Sequence, residues 1–97
     1  MAKFVQLDGI DIGDIKIYSL STCGWCRKTK ELFRDNGIKF AFVDVDTLNG
    51  DDREKAKDEV MAFNPRLSFP TTIINGGEEV VAGFDETRLR ALITNQG

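Results

Sequence analysis

Short apolar blocks alternate with charged or glycine-containing segments along the chain. IKIYSL, residues 15–20, is rich in β-branched and aromatic residues and predicts a strand. KFAFVDV, residues 39–45, alternates apolar and mixed residues and predicts a second strand. FPTTIIN, residues 69–75, and EEVVAGF, residues 78–84, predict two more strands. The glycine pair at 76–77 indicates a tight turn that makes these last two strands antiparallel.

The segment between the first two strands has a helical pattern. It predicts a helix from Arg27 to Asn36, with Leu32 and Phe33 as apolar residues and Gly37 as its C-terminal stop. A helix between two neighbouring strands favours a parallel pair with a right-handed crossover.

A second helix is predicted from Asp51 to about Phe63. Asp51 and Glu54 have the spacing of a capping box, and Pro65 lies just beyond the predicted end. The residues expected on its apolar side are Val60, Met61 and Phe63.

The last helix is predicted to follow Asp85 as its N-cap, with Leu89, Leu92 and Ile93 facing inward. The order β-α-β-α-β-β-α, with short connections, indicates one compact α/β unit. Residues 1–14 are rich in Asp and Gly and predict an irregular N-terminal extension with a short strand near 4–7, followed by a single domain at 15–97.

Composition excludes several classes of function. A chain of 97 residues fits one small domain, and its net charge of −3 does not favour nucleic-acid binding. The sequence has no apolar run of the roughly 20 residues that a transmembrane helix needs. MAKFVQLDGIDIGD, residues 1–14, has no apolar signal-peptide core, so we expect a cytoplasmic protein.

The two cysteines of the chain, Cys23 and Cys26, lie between the first strand and the first helix. Free N–H groups and the helix dipole at a helix start stabilise a thiolate. We therefore expect Cys23 to be an exposed nucleophile and Cys26, three residues later on the same helix face, to be a buried resolving thiol. The basic residues that follow, Arg27, Lys28 and Lys30, add positive potential in directions that the sequence does not fix.

Two other interpretations of the cysteine pair are less favourable. A closed zinc site needs four ligands, and the sequence has no histidine and no third cysteine, so we expect no metal site. A structural bridge would close a very small loop and would not persist in a reducing compartment. Redox chemistry is the favoured interpretation.

Pro70 opens the third predicted strand, whose start lies beside the cysteine loop if that strand pairs with the first. Base rates favour a trans peptide bond before it, whereas a cis bond would expose the backbone of Phe69 to an incoming disulfide. Trp25 has two interpretations, an exposed surface for partners or local packing on Leu20 or Phe84. The other aromatic residues considered are expected in the core: Phe33, Phe40, Phe42 and Phe63.

Three segments together resemble the glutaredoxin family, within the thioredoxin fold: STCGWCRKTKELFRDNGIKFAFVDVD, FPTTII and AGFDE. The resemblance covers about residues 15–95. It implies a four-stranded mixed sheet of order 2-1-3-4 flanked by three helices, and a cis bond before Pro70. It also implies dithiol–disulfide exchange, in which Cys23 attacks a substrate disulfide and Cys26 resolves the mixed disulfide.

The resemblance also implies a substrate site. In similar proteins glutathione lies along the backbone before the cis-proline, with its γ-glutamyl carboxylate at the start of the last helix. The positions carried over to this chain are Thr22, Gly24, Trp25, Phe69, Pro70, Gly83, Phe84 and Asp85. A lysine usually precedes the first cysteine, but this chain has SLS at 19–21, and Ala82 replaces a usual glycine.

Because of these two differences from the family, several electron donors and substrates remain possible. The resemblance implies no bound cofactor, and electrons come from glutathione, another thiol, a flavin thioredoxin reductase or a ferredoxin-dependent reductase. The expected substrates are disulfide-containing proteins, and the expected state is a monomer. The alternative is a glutathione-dependent [2Fe–2S] carrier, which Gly24 fits and the missing lysine disfavours. A non-catalytic binding module is the third possibility.

Overall fold

The computed structural model describes residues 4–94, in which five strands form one sheet and three α-helices flank it. The strands and helices are β1 (Val5–Leu7), β2 (Ile15–Ser19), α1 (Gly24–Asp35), β3 (Phe40–Asp44), α2 (Gly50–Phe63), β4 (Thr71–Ile74), β5 (Glu79–Ala82) and α3 (Glu86–Thr94). Single 3₁₀ turns follow β3 at Val45–Thr47 and β4 at Asn75–Gly77. None of the helices in this part of the chain is long and apolar enough to cross a membrane.

The sheet of the described residues has the strand order β1-β3-β2-β4-β5. Strands β2 and β3 are parallel, with Ile17 opposite Phe42, and β4 is antiparallel to both β2 and β5. Without β1 this is the order 2-1-3-4 that the resemblance implies. The thioredoxin-type fold with three flanking helices is therefore confirmed.

The N-terminal extension adds a fifth strand that was not part of the predicted sheet. Strand β1 is antiparallel to β3, with Val5 opposite Phe42. Further along, the Ile10 N–H donates to the Gly37 carbonyl at 2.7 Å. The short strand predicted near residues 4–7 is thus confirmed as β1, whereas its pairing with the open edge of β3 was not predicted. The boundary between extension and domain stays a prediction, and residues 1–3 and 95–97 lie outside the described part of the chain.

Two apolar clusters lie on opposite faces of the sheet. On one face α1 and α3 bring Phe33 and Leu89 against Ile17 of β2. On the other face α2 brings Ala56 and Val60 against the sheet. Full burial of one large apolar side chain contributes about 1.5–3 kcal/mol, so these helices are held to the sheet mainly by their apolar faces.

Two details of α2 differ from the prediction. The helix begins at Gly50 with Asn49 as N-cap, so Asp51 lies in the first turn and does not form a capping box with Glu54. Met61 and Phe63 are 39% and 42% exposed, because the buried face of the helix runs through Ala56 and Val60, four residues apart. The prediction that Phe63 is a core residue is wrong. Phe33 and Phe40 are buried as expected, and Phe42 is half-buried against the cluster beneath α1.

Candidate active site

Cys23 lies at the junction between β2 and α1 and is the N-cap of α1. The Cys26 N–H donates to the Cys23 Sγ at 3.2 Å, and the Cys23 N–H donates to the Leu20 carbonyl at 3.2 Å. Helix α1 begins at Gly24, three residues before the predicted start, because the sulfur caps one of its free N–H groups. The Cys23 sulfur therefore lies where the helix N-terminus favours negative charge.

Cys26 is fully buried, whereas Cys23 is partly exposed, and neither forms a disulfide. Burial, followed by the hydrogen bond to the Cys23 side chain, raises the pKa of the Cys26 thiol well above its ordinary value. The backbone of Leu20 and the charge of Lys30 act in the opposite direction. The predicted difference in exposure between the two cysteines is confirmed, and their catalytic roles stay predictions.

The start of β4 lies beside the cysteine loop, as expected. Thr71 pairs with Tyr18 near the end of β2, and the Phe69–Pro70 peptide bond just before it is cis. The trans bond favoured by base rates is wrong, and the cis bond implied by the resemblance is present. The Gly83 N–H donates to the Pro70 carbonyl at 2.7 Å, and Gly83 has a φ of 79°, a left-handed conformation that glycine adopts without a steric penalty.

Five of the predicted substrate-binding residues line one groove of about 170 Å³: Trp25, Phe69, Pro70, Gly83 and Phe84. The Trp25 side chain is 58% exposed, and its ring stacks on Phe84 with centroids 5.6 Å apart. The packing of the Trp25 ring on Phe84 is confirmed, and the ring still presents a large surface to solvent. A role of that surface in binding partners stays a prediction.

The remaining predicted site residues do not line this groove but are neighbours of Cys23 and Phe84 in the chain. Thr22 and Gly24 are exposed on either side of Cys23. Asp85 accepts the Arg88 N–H at 3.2 Å, so it is the predicted N-cap of α3. A role of these three residues in substrate binding stays a prediction.

The basic residues after the cysteines point in different directions. The Lys28 ammonium lies 5.1 Å from the centroid of the Trp25 ring, and Arg27 is exposed. The Lys30 ammonium lies 2.8 Å from Asp44 Oδ1 and 4.0 Å from the centroid of the Phe42 ring. Lys30 therefore faces the sheet, whereas Lys28 lies over the exposed ring of Trp25.

Asp44 is a residue that the sequence analysis missed. Its carboxylate accepts a hydrogen bond of 2.6 Å from the Ser19 hydroxyl, which also lies 3.2 Å from the Val43 carbonyl. Ser19 and Asp44 are opposite each other at the ends of the parallel strands β2 and β3. Polar residues at the final position of two neighbouring strands were the available signal.

A second carboxylate lies beside the loop that leads to Cys23. Asp46 accepts the Ser21 N–H at 2.9 Å and the Ser21 hydroxyl at 2.6 Å. The hydrogen bonds from Ser21 hold the pKa of Asp46 below its usual value, so this carboxylate is ionised at neutral pH. The segment that lacks the family's usual lysine is thus bonded to an anion.

In the described part of the chain, the cysteine loop belongs neither to a metal site nor to a second ligand cavity. No cluster of three or more potential metal-binding side chains is present among residues 4–94. A larger cavity of about 510 Å³ lies against the arm, where Asp11, Asp14, Lys16 and Lys39 contribute charges, and none of the predicted site residues lines it. The absence of a bound cofactor and the iron–sulfur alternative stay predictions.

Comparison with known proteins identifies the family. The glutaredoxin family model matches residues 15–79. A glutaredoxin of Methanosarcina mazei Go1 superimposes with a TM-score of 0.86 at 46% identity, covering 94% of this chain and 87% of the other. Methanoredoxin of Methanosarcina acetivorans gives a TM-score of 0.84 at 47% identity, covering 88% of each chain.

A curated relative agrees with these structural matches. An uncharacterized glutaredoxin-like 8.6 kDa protein in a rubredoxin operon of Clostridium pasteurianum is 35% identical over 79 residues, covering 81% of this chain and 96% of that protein. The region that the family model matches contains both cysteines and the strands β2, β3 and β4. The chain therefore belongs to the glutaredoxin family.

Proposed function

We propose that the protein is a thiol–disulfide oxidoreductase that reduces disulfides of proteins, with Cys23 as nucleophile and Cys26 as resolving thiol. The observation that carries this proposal is the geometry of the cysteine pair. The sulfur of Cys23 is partly exposed at the start of α1, and Cys26 is fully buried one helical turn later.

The first step uses the exposed sulfur. The Cys23 thiolate attacks one sulfur of the substrate disulfide, and the other substrate sulfur leaves as a thiolate that takes a proton from water. The Cys26 N–H, 3.2 Å from the Cys23 Sγ, and the dipole of α1 stabilise the attacking charge. The product is a mixed disulfide between Cys23 and the substrate.

The second step uses the buried sulfur. Cys26 loses its proton and its thiolate attacks the Cys23 Sγ, so that the bond from Cys23 to the substrate breaks and the Cys23–Cys26 bond forms. Two electrons have then passed to the substrate, and its second sulfur leaves as a thiolate. Because α1 holds both residues on one face, this step needs no large rearrangement of the chain.

The surroundings of Cys23 favour a polypeptide as the substrate. Trp25 and Phe84 form an exposed aromatic surface that suits apolar side chains flanking a disulfide. Asp46 places an anion two residues before Cys23 through its bonds to Ser21, which disfavours a small substrate with a carboxylate at that place. Thr22, Gly24 and Asp85 belong to this proposed surface as its outer residues.

The test is reduction of insulin disulfides by the reduced protein. We expect Cys23→Ser to abolish the reaction, whereas Cys26→Ser allows attack and accumulates a mixed disulfide on Cys23. Serine keeps an N-cap oxygen at position 23, so the loss cannot be attributed to unfolding of α1. Reduction that survives Cys23→Ser would contradict the proposal.

The electron donor is tested separately. The oxidised protein is offered to glutathione, to a flavin thioredoxin reductase and to a ferredoxin-dependent reductase, and the rate of disulfide reduction is measured with each. We expect a reductase to be faster than glutathione, because of the anion at Asp46. Reduction by glutathione alone would contradict the proposed selectivity while leaving the chemistry of Cys23 intact.

A further inference from the structure

A partly buried ion pair lies one helical turn beyond Cys26. Lys30 follows Cys26 by four residues on α1, so the two side chains lie on the same face of the helix. The Lys30 ammonium is 2.8 Å from Asp44 Oδ1, and the two side chains are only 19% and 22% exposed. The charge of a lysine in such a place is screened by solvent less than that of a surface lysine.

The sheet fixes the position of this lysine. Asp44 accepts a hydrogen bond of 2.6 Å from Ser19, which is fully buried at the end of β2. The Phe42 ring lies beneath the ammonium at 4.0 Å. Lys30 is therefore held between α1 and the sheet by two residues of β3, and Ser19 of β2 holds Asp44 in turn. Lys28, in contrast, lies over the exposed Trp25 ring.

A positive charge at this place favours the resolving step. A fully buried thiol is reluctant to lose its proton, and Cys26 can attack only as a thiolate. The groups that face it are Cys23 from the loop, the backbone of Leu20 from the end of β2, and Lys30 from its own helix, with Asp44 of β3 behind Lys30. Lys30 lowers the pKa of Cys26, whereas its burial and the Cys23 side chain raise it.

We propose that Lys30, held by Asp44 and Ser19, is a positioning residue that stabilises the Cys26 thiolate during resolution of the mixed disulfide. This inference rests on the proposed function and assigns a residue to its second step. The proton of Cys26 passes to water, its sulfur bonds to the Cys23 Sγ, and the substrate leaves as a thiolate. Lys30 transfers no proton and forms no bond with the reacting atoms.

A chromogenic aromatic disulfide separates the two steps. With excess 5,5′-dithiobis(2-nitrobenzoate), attack by Cys23 releases one coloured thiolate in a phase whose rate depends on reagent concentration. Attack by Cys26 on the mixed disulfide releases a second thiolate in an intramolecular phase whose rate does not depend on it. Stopped-flow absorbance from pH 5 to 10 measures both phases in the full-length protein.

We expect Lys30→Met to slow the second phase about tenfold at pH 7 and to move its rise to higher pH, with the first phase changed by less than about twofold. Lys30→Arg keeps the charge and should restore the second phase to within about threefold of the parent.

Lys57→Met is the matched control, since it removes a lysine from an ion pair with Glu54 on α2. We expect it to leave both phases unchanged. A second phase that keeps its rate and pH profile in Lys30→Met would overturn the inference. An equal slowing of both phases would also overturn it, because it would mean that the Lys30–Asp44 ion pair stabilises α1 as a whole.

Failure of the proposed function gives a different result. If the parent protein releases no first thiolate, or releases no second one at any pH, the chemistry of the cysteine pair is wrong and the role of Lys30 falls with it. A parent with two phases and an unresponsive Lys30→Met variant overturns only the role of Lys30.

Discussion

Two segments border the sheet: the arm, residues 4–14, and the cysteine loop, residues 20–26. They differ in the groups that hold them in place. The arm uses backbone groups, such as the Ile10 N–H on the Gly37 carbonyl and the Asp14 carbonyl that accepts the Asn75 N–H, both at 2.7 Å. The cysteine loop is capped by the Cys23 sulfur itself. A side chain that serves the local fold here is also the proposed nucleophile.

Because of this difference, we expect mutations in the arm to affect mainly stability and mutations in the cysteine loop to affect mainly disulfide exchange. Changes in the arm should lower the stability of the fold without changing disulfide exchange, because none of the predicted site residues lies there. Changes at the exposed residues of the cysteine loop, such as Gly24 and Trp25, should alter exchange more than stability, because these residues contribute little to the core. The four predictions below test that separation from the largest expected effect to the smallest.

Gly9→Ala should destabilise the protein without slowing disulfide exchange. A Cβ at Gly9 would lie 2.5 Å from the Gly37 carbonyl oxygen, so the arm must shift. Such overpacking costs about 1–3 kcal/mol of unfolding free energy, measured by urea denaturation. Gly50→Ala is the control, since a Cβ there meets no atom within 4 Å. Loss of exchange activity in folded Gly9→Ala would contradict the expectation that the arm affects stability and not disulfide exchange.

Trp25→Ala should weaken the use of protein substrates. Loss of the exposed aromatic surface is expected to lower kcat/KM for insulin about tenfold, and to change the rate with a small aromatic disulfide less than about twofold. Met61→Ala is the matched control, because it removes an exposed apolar side chain on α2. Equal losses with both substrates would place Trp25 in the chemistry of Cys23 rather than in recognition.

Asp85→Ala distinguishes a cap from a substrate contact. Loss of the bond from the Arg88 N–H should lower the unfolding free energy by about 1 kcal/mol, seen as a lower Tm, while Asp85→Asn keeps most of it. If Asp85 also contacts substrate through its charge, Asp85→Asn will raise KM at unchanged Tm. A normal Tm in Asp85→Ala would show that the cap contributes nothing.

Gly24→Pro should have the smallest effect, a gain in stability of about 0.4–1 kcal/mol. Gly24 is the first residue of α1, where proline is favoured, and Cys23 already has the extended conformation that a following proline requires. Thermal unfolding of the reduced protein measures the gain. A lower Tm would mean that the start of α1 differs from the geometry described.

The sequence predicted most of the fold because each strand and helix has its own apolar period. It missed the pairing of β1, since residues 1–14 have no period and Val5 is exposed at the sheet edge. It also misplaced Phe63, whose ring lies against Gly77 rather than in the core. Whether an apolar residue at the end of a helix faces inward depends on packing that local patterns do not encode.

The site was predictable where it depends on motifs and not where it depends on long-range contacts. Cys23, Pro70 and Phe84 were identified by their order along the chain. Asp44 was missed because its partner Lys30 lies on another element, and the direction of a lysine on α1 is set by the carboxylate and the ring beneath it. Such a contact between distant residues appears only once the sheet register is known.

We infer that Cys23 and Cys26 differ in reactivity because they occupy different places at the start of α1. Limited alkylation of the reduced protein with iodoacetamide at pH 7, followed by peptide mapping, tests it directly. Cys26 is fully buried and its pKa is raised, so we predict that Cys23 is modified at least about a hundredfold faster. Equal rates, or faster modification of Cys26, would contradict the account.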